Sequence, residues 1–465
     1  MLRAREEKEI MRTPLCPLVA LAASTSPGGG GGRGVAAPPP APPGRPSLTG
    51  WLLGHGASLR SSVENDPAGL RGLRWGARDG DCPGGGGGGD GGGVACLIPR
   101  GCAVVADPAL APAGCGGPIE RLAGTLLRHV AAGAATAPPD HFSPYLDSLP
   151  PPADPALASI GGTWTDRQLG RLALGPVQRS FRGMRERRER FVRAYLREGD
   201  VPRCGAKEAA WAYDIASSRA LEGNFGRGGA VRASLGTIGA AFALALAAPG
   251  LAVLLAEPES ATATTATAVP LIALAPLAAS LAVLGGIMVG AARQPELALV
   301  PWIDFANHQS SAGGLVFQYD CLRDAIQLRR REGGSHATSE EDGWITFDYG
   351  GAAEGITNDR LLGEYGFVEE DNPNDTLVIE VGDAVLTLGR HGRRGLTGGG
   401  KLHTEGDVRD AIEATRAALA ASQVPVDSRD PNDAILAGLA AQWRREKRRL
   451  LDEVSSEHEL PRMKK

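Results

Sequence analysis

Two hydrophobic periods alternate along the chain. Between residues 119 and 131, Leu122, Leu126, Leu127 and Val130 recur at helical spacing, which predicts one amphipathic helix. Residues 177–198 repeat that spacing with Phe181, Phe191, Val192, Tyr195 and Leu196 among arginines, and 209–221 give a further helical stretch containing Ser217-Ser218-Arg219. Two more helices are predicted near 407–421 and 431–455, the second with Ile435, Leu439, Trp443 and Leu450 on one stripe. Elsewhere the period shortens to two. Ile303 and Phe305, and again Ile345 and Phe347, alternate like short buried strands, and 94–105 and 377–381 also read as strand. Asn307-His308 and Tyr349-Gly350 then fall where a strand gives way to a turn. A rigid sheet commonly delivers functional side chains at such places.

A third pattern interrupts the other two. Residues 233–256 and 269–292 are uncharged runs of about 24 residues each, and about 20 suffice to cross a hydrocarbon core. Pro258, Glu259 and a Thr/Ala tract separate them, and Arg227, Arg232 and Arg293 flank the outer ends. One reading is a transmembrane hairpin whose ends return to one face, giving membrane association through 233–292 with the remainder on the cytosol-like or stromal side. The others are an alanine-rich helical pair packed on the protein and a disordered insertion, since Pro249, Gly250, Pro270 and Pro276 weaken a helix.

Composition narrows the partners. The 465 residues include 65 Gly and 34 Pro, much of this excess in low-complexity segments, so the foldable part is smaller than the length suggests. A net charge of −4 gives no support for a nucleic-acid binder. The arginines of 177–198 read as a solvated face because acidic residues are interspersed. Cys16, Cys82, Cys96, Cys102, Cys115, Cys204 and Cys321 form no Cys-x-x-Cys pair, which predicts reduced thiols in an intracellular compartment and no zinc knuckle. Residues 1–46 lie outside the fold, either as a disordered leader or as a plastid transit peptide beginning at Met11. The expected locations are therefore chloroplast or, alternatively, cytoplasm. The glycine runs within 84–93 read as a loop between strands.

The candidate chemistry lies in residues 299–368. The chain reads Pro301-x-x-Asp304-x-x-Asn307-His308, then a strand ending in Tyr349-Gly350, then Asn358-x-x-Leu361-Leu362-x-x-Tyr365-Gly366-Phe367. Each piece alone is weak, because an Asn-His pair after a strand is more often a turn bonding its own backbone. In this order and combination they resemble the SET-domain protein methyltransferases, in the branch that includes the Rubisco large-subunit methyltransferase. Pro144-Tyr145-Leu146-Asp147-Ser148-Leu149-Pro150 is similar to that branch's Pro-Tyr-Leu-x-x-Leu-Pro block, its aromatics being read as packing. Trp51-Leu52, Gly56-Ala57 and the turn Gly69-Leu70-Arg71-Gly72-Leu73-Arg74 resemble the family's opening, with Gly-x-x-Gly where Gly-x-Gly is commoner. No cysteine-rich zinc segment follows Tyr349, which favours the non-histone branch.

The resemblance implies an α+β fold: a SET-domain β-fold of short sheets over 47–368, with a helical insert about 119–221 and the apolar insertion about 233–292. It also implies a C-terminal helical lobe, 369–465, shortened relative to the family, in which Asn372-Pro373-Asn374-Asp375 matches a turn and 389–400 reads as a basic, glycine-rich loop. The implied cofactor is S-adenosyl-L-methionine, and the implied partner is a protein substrate, most simply through lysine, with histidine also open. Arg71, Gly72, Leu73, Arg219, Asn307 and His308 would bind the cofactor. Tyr349 would be catalytic, and Tyr365 and Asp304 would meet the substrate. The bland reading of Arg219 is a helix C-terminal arginine satisfying carbonyls. The chemistry needs no metal. A competing reading is a catalytically weak, membrane-tethered SET-fold module that binds protein.

Overall fold

The computed structural model describes residues 46–65, 71–75, 94–135, 141–152, 154–198, 204–223, 296–310, 315–320, 323–330, 344–349, 355–390, 394–398, 404–421, 425–427, 429–430 and 432–456. Helix α1 (Leu48–Gly54) is followed by β1 (Ser58–Leu59), β2 (Ser61–Asn65), β3 (Arg71–Trp75), β4 (Val94–Pro99) and β5 (Val104–Val105). The helices α2 (Pro118–Ala135), α3 (Gly175–Glu198) and α4 (Ala206–Arg219) come next. After them come β6 (Leu221–Gly223), β7 (Glu296–Leu299), β8 (Asn307–His308), β9 (Leu315–Asp320), β10 (Ala325–Arg330) and β11 (Trp344–Phe347). The C-terminal part holds β12 (Thr376–Val381), β13 (Ala384–Gly389), β14 (Arg394–Gly398), α5 (Glu405–Ala421) and α6 (Asp433–Ser456). The fold is α+β.

Four small sheets carry the architecture, in the orders β1-β4-β10-β9, β2-β3-β11-β8, β5-β7-β6 and β12-β13-β14. Each is too small to be stable alone, so each buries a face against helices or another sheet. In the first core, Leu122, Leu126 and Leu127 of α2 pack with Trp211 and Ile215 of α4 and with Leu299, Ile303, Ile345 and Phe347. The second core joins Trp164, Leu172 and Phe181 to Leu362, Val368, Ile379, Leu439, Trp443 and Leu450. Residues 164–181, which fall within the helical insert read from the sequence, therefore pack against the C-terminal helices. Helix α3 bridges the two cores, with Phe191 in the first and Phe181 in the second.

A buried ion pair ties that second core together. Arg171 donates from Nη1 and Nη2 to the two carboxylate oxygens of Asp433, both at 2.6 Å, with the side chains 2% and 3% exposed. These hydrogen bonds outweigh burial and hold the Asp433 carboxyl well below the usual carboxylate range. A depressed carboxyl stabilises above its unfolded value, about 3.9, and that contribution fades as pH falls through the folded value. Asp433→Asn should cost about 3–5 kcal/mol at pH 7, read by urea unfolding, because it strands the arginine. The deficit should shrink as the pH is lowered below 4.

Three local expectations are corrected. Residues 300–305 are not a strand. Val300 and Pro301 lead into a turn at Trp302, whose φ is +77°, and Ile303–Phe305 is one 3-10 turn. Proline cannot extend a ladder, and the left-handed residue reverses the chain. The strain at Trp302 is held by burial of the indole, 4% exposed, and by its Nε1 donating to Ser61 Oγ at 2.9 Å. Next, Arg71, Gly72 and Leu73 lie in strand β3 rather than in a turn, because β2 pairs with all three and β11 pairs with Leu73 on the other side. Finally, 394–398 within the supposed glycine-rich loop pairs with β13 as β14.

The leader through residue 45 and the runs 233–256 and 269–292 lie outside the described residues. Among the described residues, no helix is long and apolar enough to cross a membrane. Cys96, Cys102, Cys115 and Cys204 are free thiols, and burial pushes Cys96 up to about 12, which makes it inert as a nucleophile.

Candidate functional site

Strand β11 organises the site. On one side it pairs antiparallel with β3, Ile345 opposite Leu73. On the other it pairs parallel with β8, Thr346 opposite Asn307 and Phe347 opposite His308. Parallel neighbours run the same way and end at the same edge. Asn307-His308 and Tyr349 therefore leave the sheet together, although about 40 residues separate them.

His308 is locked in place. Its side chain is fully buried, and its Nδ1 accepts from the Tyr349 backbone N–H at 3.1 Å. The neutral ring proton then sits on Nε2, which points to Ser310 Oγ at 3.0 Å and Glu369 Oε2 at 3.4 Å. Ser310 donates to Glu369 from its backbone N–H at 2.9 Å and also from its hydroxyl. Burial raises the Glu369 carboxyl, but the His308 and Ser310 hydrogen bonds outweigh it and hold the group below its ordinary value. The relay Glu369–His308–Tyr349 thus fixes where Tyr349 begins.

Tyr349 itself is partly buried, and its hydroxyl donates to the Ala306 carbonyl at 3.0 Å. Burial pushes that hydroxyl up to about 12, so it stays a neutral donor. The Tyr349 ring lies 4.6 Å from Tyr365, 5.0 Å from both His308 and Phe347, and 6.5 Å from Phe367. Burial, with Glu364 and Tyr349 adding to it, raises the Tyr365 hydroxyl further still. Leu361–Tyr365 is a single π-helical turn, a form often found at functional sites. Gly366 then has φ of +78°, and a Cβ there would meet Ser159 Oγ at 2.1 Å and its backbone carbon at 2.9 Å. Only glycine turns the chain there between Tyr365 and Phe367.

A charged group flanks this aromatic cluster. Arg219, the last residue of α4, donates from Nη1 to the Asp304 carbonyl at 3.2 Å and stands 3.6 Å from Asp304 Oδ2. The Asp304 side chain is fully buried and Arg219 is a quarter exposed. Tyr145 donates its hydroxyl to Asp304 Oδ2 at 2.8 Å. Asp304 is thereby anchored from two sides, and its position sets that of the guanidinium. The charges of Arg219 and Asp304 both act on the Tyr349 hydroxyl, in opposite senses.

No family model matches the chain, and no curated protein matches it either.

The structure brings Asp304, Asn307, His308, Tyr349, Tyr365 and Arg219 into one neighbourhood. Leu73 reaches it only through the sheet, its side chain wholly in the core. The backbones of Arg71 and Gly72 continue the same strand, opposite Asn65 and Glu64. Sequence reasoning missed Glu369, Ser310 and the Tyr145 hydroxyl. Glu369 stands two residues beyond Phe367, close enough to the motif to be tested as a partner, whereas Tyr145 reads as packing because its ring is buried. A cavity of about 40 Å3 lies behind the π-turn, between Ile160, Met184, Arg188, Asp214 and Glu364. That volume has room for a few waters and is too small for a substrate.

The arrangement offers two features to a ligand. The Tyr349 and Ala306 oxygens lie side by side within a wall of aromatic rings, an environment that favours a small cationic or electron-poor carbon centre. Arg219 offers a guanidinium for a carboxylate. Glu369→Gln should leave the fold intact but loosen His308, costing about 1.5–3 kcal/mol in urea unfolding at pH 7. The wild-type advantage should fade below about pH 4, because a depressed carboxyl loses its contribution as pH falls.

Proposed function

We propose that the chain is an S-adenosylmethionine-dependent protein N-methyltransferase of the SET type, acting on a lysine side chain of a non-histone protein. The observation that carries the reading is the meeting of Arg219, Asn307-His308, Tyr349 and Tyr365 from four separate stretches, with the Tyr349 hydroxyl on the Ala306 carbonyl. The order of the Pro301–His308, Tyr349-Gly350 and Asn358–Phe367 motifs supports it.

The cofactor would contribute an electrophilic methyl carried on a sulfonium. Arg219 suits its carboxylate, and the backbone at Asn307-His308, rigidly paired to β11, suits its remaining polar edges. Tyr349 and Ala306 place two oxygens where a methyl with partial positive charge gains from them. Tyr365 and Phe367 wall the side from which a substrate amine would approach. An ammonium taken between such rings loses hydration and has its pKa lowered, so it gives up its proton without a dedicated carboxylate base. Alignment of amine and methyl can supply up to about 7–11 kcal/mol of the barrier.

The test is transfer of radiolabelled methyl from S-adenosylmethionine into proteins of the native extract by chain lacking residues 1–46. Label on a discrete band, from a chain that binds the cofactor, supports the reading. A folded chain that binds no S-adenosylmethionine overturns it. Because Tyr349 stays protonated up to about 12, transfer should rise from pH 7 to 10 with the neutral fraction of the amine. No decline from a tyrosinate should appear in that range.

A further inference from the structure

A second cluster lies around Trp51 at the edge of the first core, and nothing in the proposed transfer uses it. His55 follows α1, and His141 begins the turn that leads into Phe142 and Ser143. Both rings are exposed, their centres are 4.6 Å apart, and their planes cross at 75°. The Trp51 indole packs against both, at 5.3 Å from His55 and 5.4 Å from His141.

The hydrogen bonds fix which nitrogens remain. His55 Nδ1 is 2.8 Å from the Trp51 carbonyl, and His141 Nε2 is 3.2 Å from the Gly101 carbonyl. A carbonyl only accepts, so each of these nitrogens carries the ring proton. The lone pairs are then on His55 Nε2 and His141 Nδ1. Holding the other ring N–H on a backbone carbonyl is the arrangement that orients metal-ligating histidines. The spacing agrees as well: with bonds of about 2.1 Å, two imidazoles at right angles around one ion have centres about 4.5 Å apart.

We propose that His55 and His141 form a two-imidazole site for a late first-row divalent cation, Cu2+ above Ni2+ and Zn2+. Among the described residues no set of three His, Cys, Asp or Glu side chains converges for a metal, so water completes the coordination. Two protein ligands make a labile, micromolar site rather than a permanent structural one, and the order of affinity follows the usual order for nitrogen donors. The Trp51 Nε1 is buried without a hydrogen-bond partner, and a water held on the ion would offer the acceptor it lacks. Occupation would clamp the end of α1 to the turn at 141 and to Gly101. These segments are distant in sequence, so binding would stabilise the folded chain by mass action. Spacing rules do not reveal such a pair, because its members come together only in the fold.

The test is titration of the full chain with CuCl2 at neutral pH, following tryptophan fluorescence and, by equilibrium dialysis, bound copper. One equivalent should bind at micromolar concentration and quench part of the emission. His55→Gln and His141→Gln should each lose that equivalent or weaken it at least tenfold, while His129→Gln keeps it. Both rings are exposed, so the variants should fold, and circular dichroism checks that they do. Trp51→Phe should keep the bound copper and lose the quenching. If folded His55→Gln and His141→Gln both retain the equivalent with an unchanged midpoint, the site is elsewhere and the proposal fails.

Discussion

Tyr349→Phe should reduce methyl transfer by about 100-fold or more while leaving S-adenosylmethionine binding within a few-fold of the parent. Losing one preorganised polar group at a reacting centre costs about 100- to 1,000-fold in rate. The ring would remain, so its packing on Tyr365, Phe347 and His308 would persist. What disappears is the hydroxyl beside the Ala306 carbonyl. The backbone N–H that His308 accepts is untouched, so the fold should hold. Single-turnover transfer measured beside equilibrium binding separates the two quantities. Equal transfer by parent and variant would remove Tyr349 from the chemistry, and a parallel loss of binding would recast it as a wall of the cofactor pocket.

Lys447→Met should destabilise as strongly as Asp433→Asn, by about 3–5 kcal/mol in urea. Lys447 is fully buried, and its Nζ lies 2.7 Å from Asp375, 2.8 Å from Asp359 and 2.5 Å from the Thr376 carbonyl. Trp443 Nε1 also donates to Asp359, at 2.7 Å. Burial alone would lower the lysine, but the two carboxylates outweigh it and raise its pKa. The contribution of such a group is full below its unfolded value, about 10.4, and fades only as pH climbs past the folded one. The cost should therefore be constant across neutral pH. Methionine strands the fully buried Asp375 and the partly buried Asp359, so adding Asp359→Asn should recover part of the loss. Asp359 belongs to the Asn358-Asp359-Arg360 motif, and Asn358 donates its own amide to the Glu369 carbonyl at 2.9 Å. Loosening this triad should thus reach Glu369 and, through it, His308.

The helices were legible in the sequence because each buries an apolar stripe: Leu122, Leu126 and Leu127 are all fully buried, as are Trp443 and Leu450. The site was legible where side chains share a short motif, as at Asn307-His308. It was opaque where a partner comes from a remote stretch. Arg171 with Asp433, Lys447 with Asp359 and Asp375, and His55 with His141 all span long separations that local patterns do not encode. The turn at Trp302 was misread for another reason. Alternation at Ile303 and Phe305 suits a strand and a 3-10 turn alike, and Pro301 decides between them.

The ladder between β6 and β7 gives residues 224–295 the standing of a removable part. Gly223 pairs with Glu296 and Leu221 with Ala298, so the chain departs and re-enters at facing positions of one antiparallel hairpin. Joining those positions with a turn of a few residues would leave every pair of that ladder in place. The excised chain should therefore keep the β6–β7 pairing. The same doorway would accept a different cargo, a fluorescent reporter or an affinity tag, without touching the sheet that carries Tyr349.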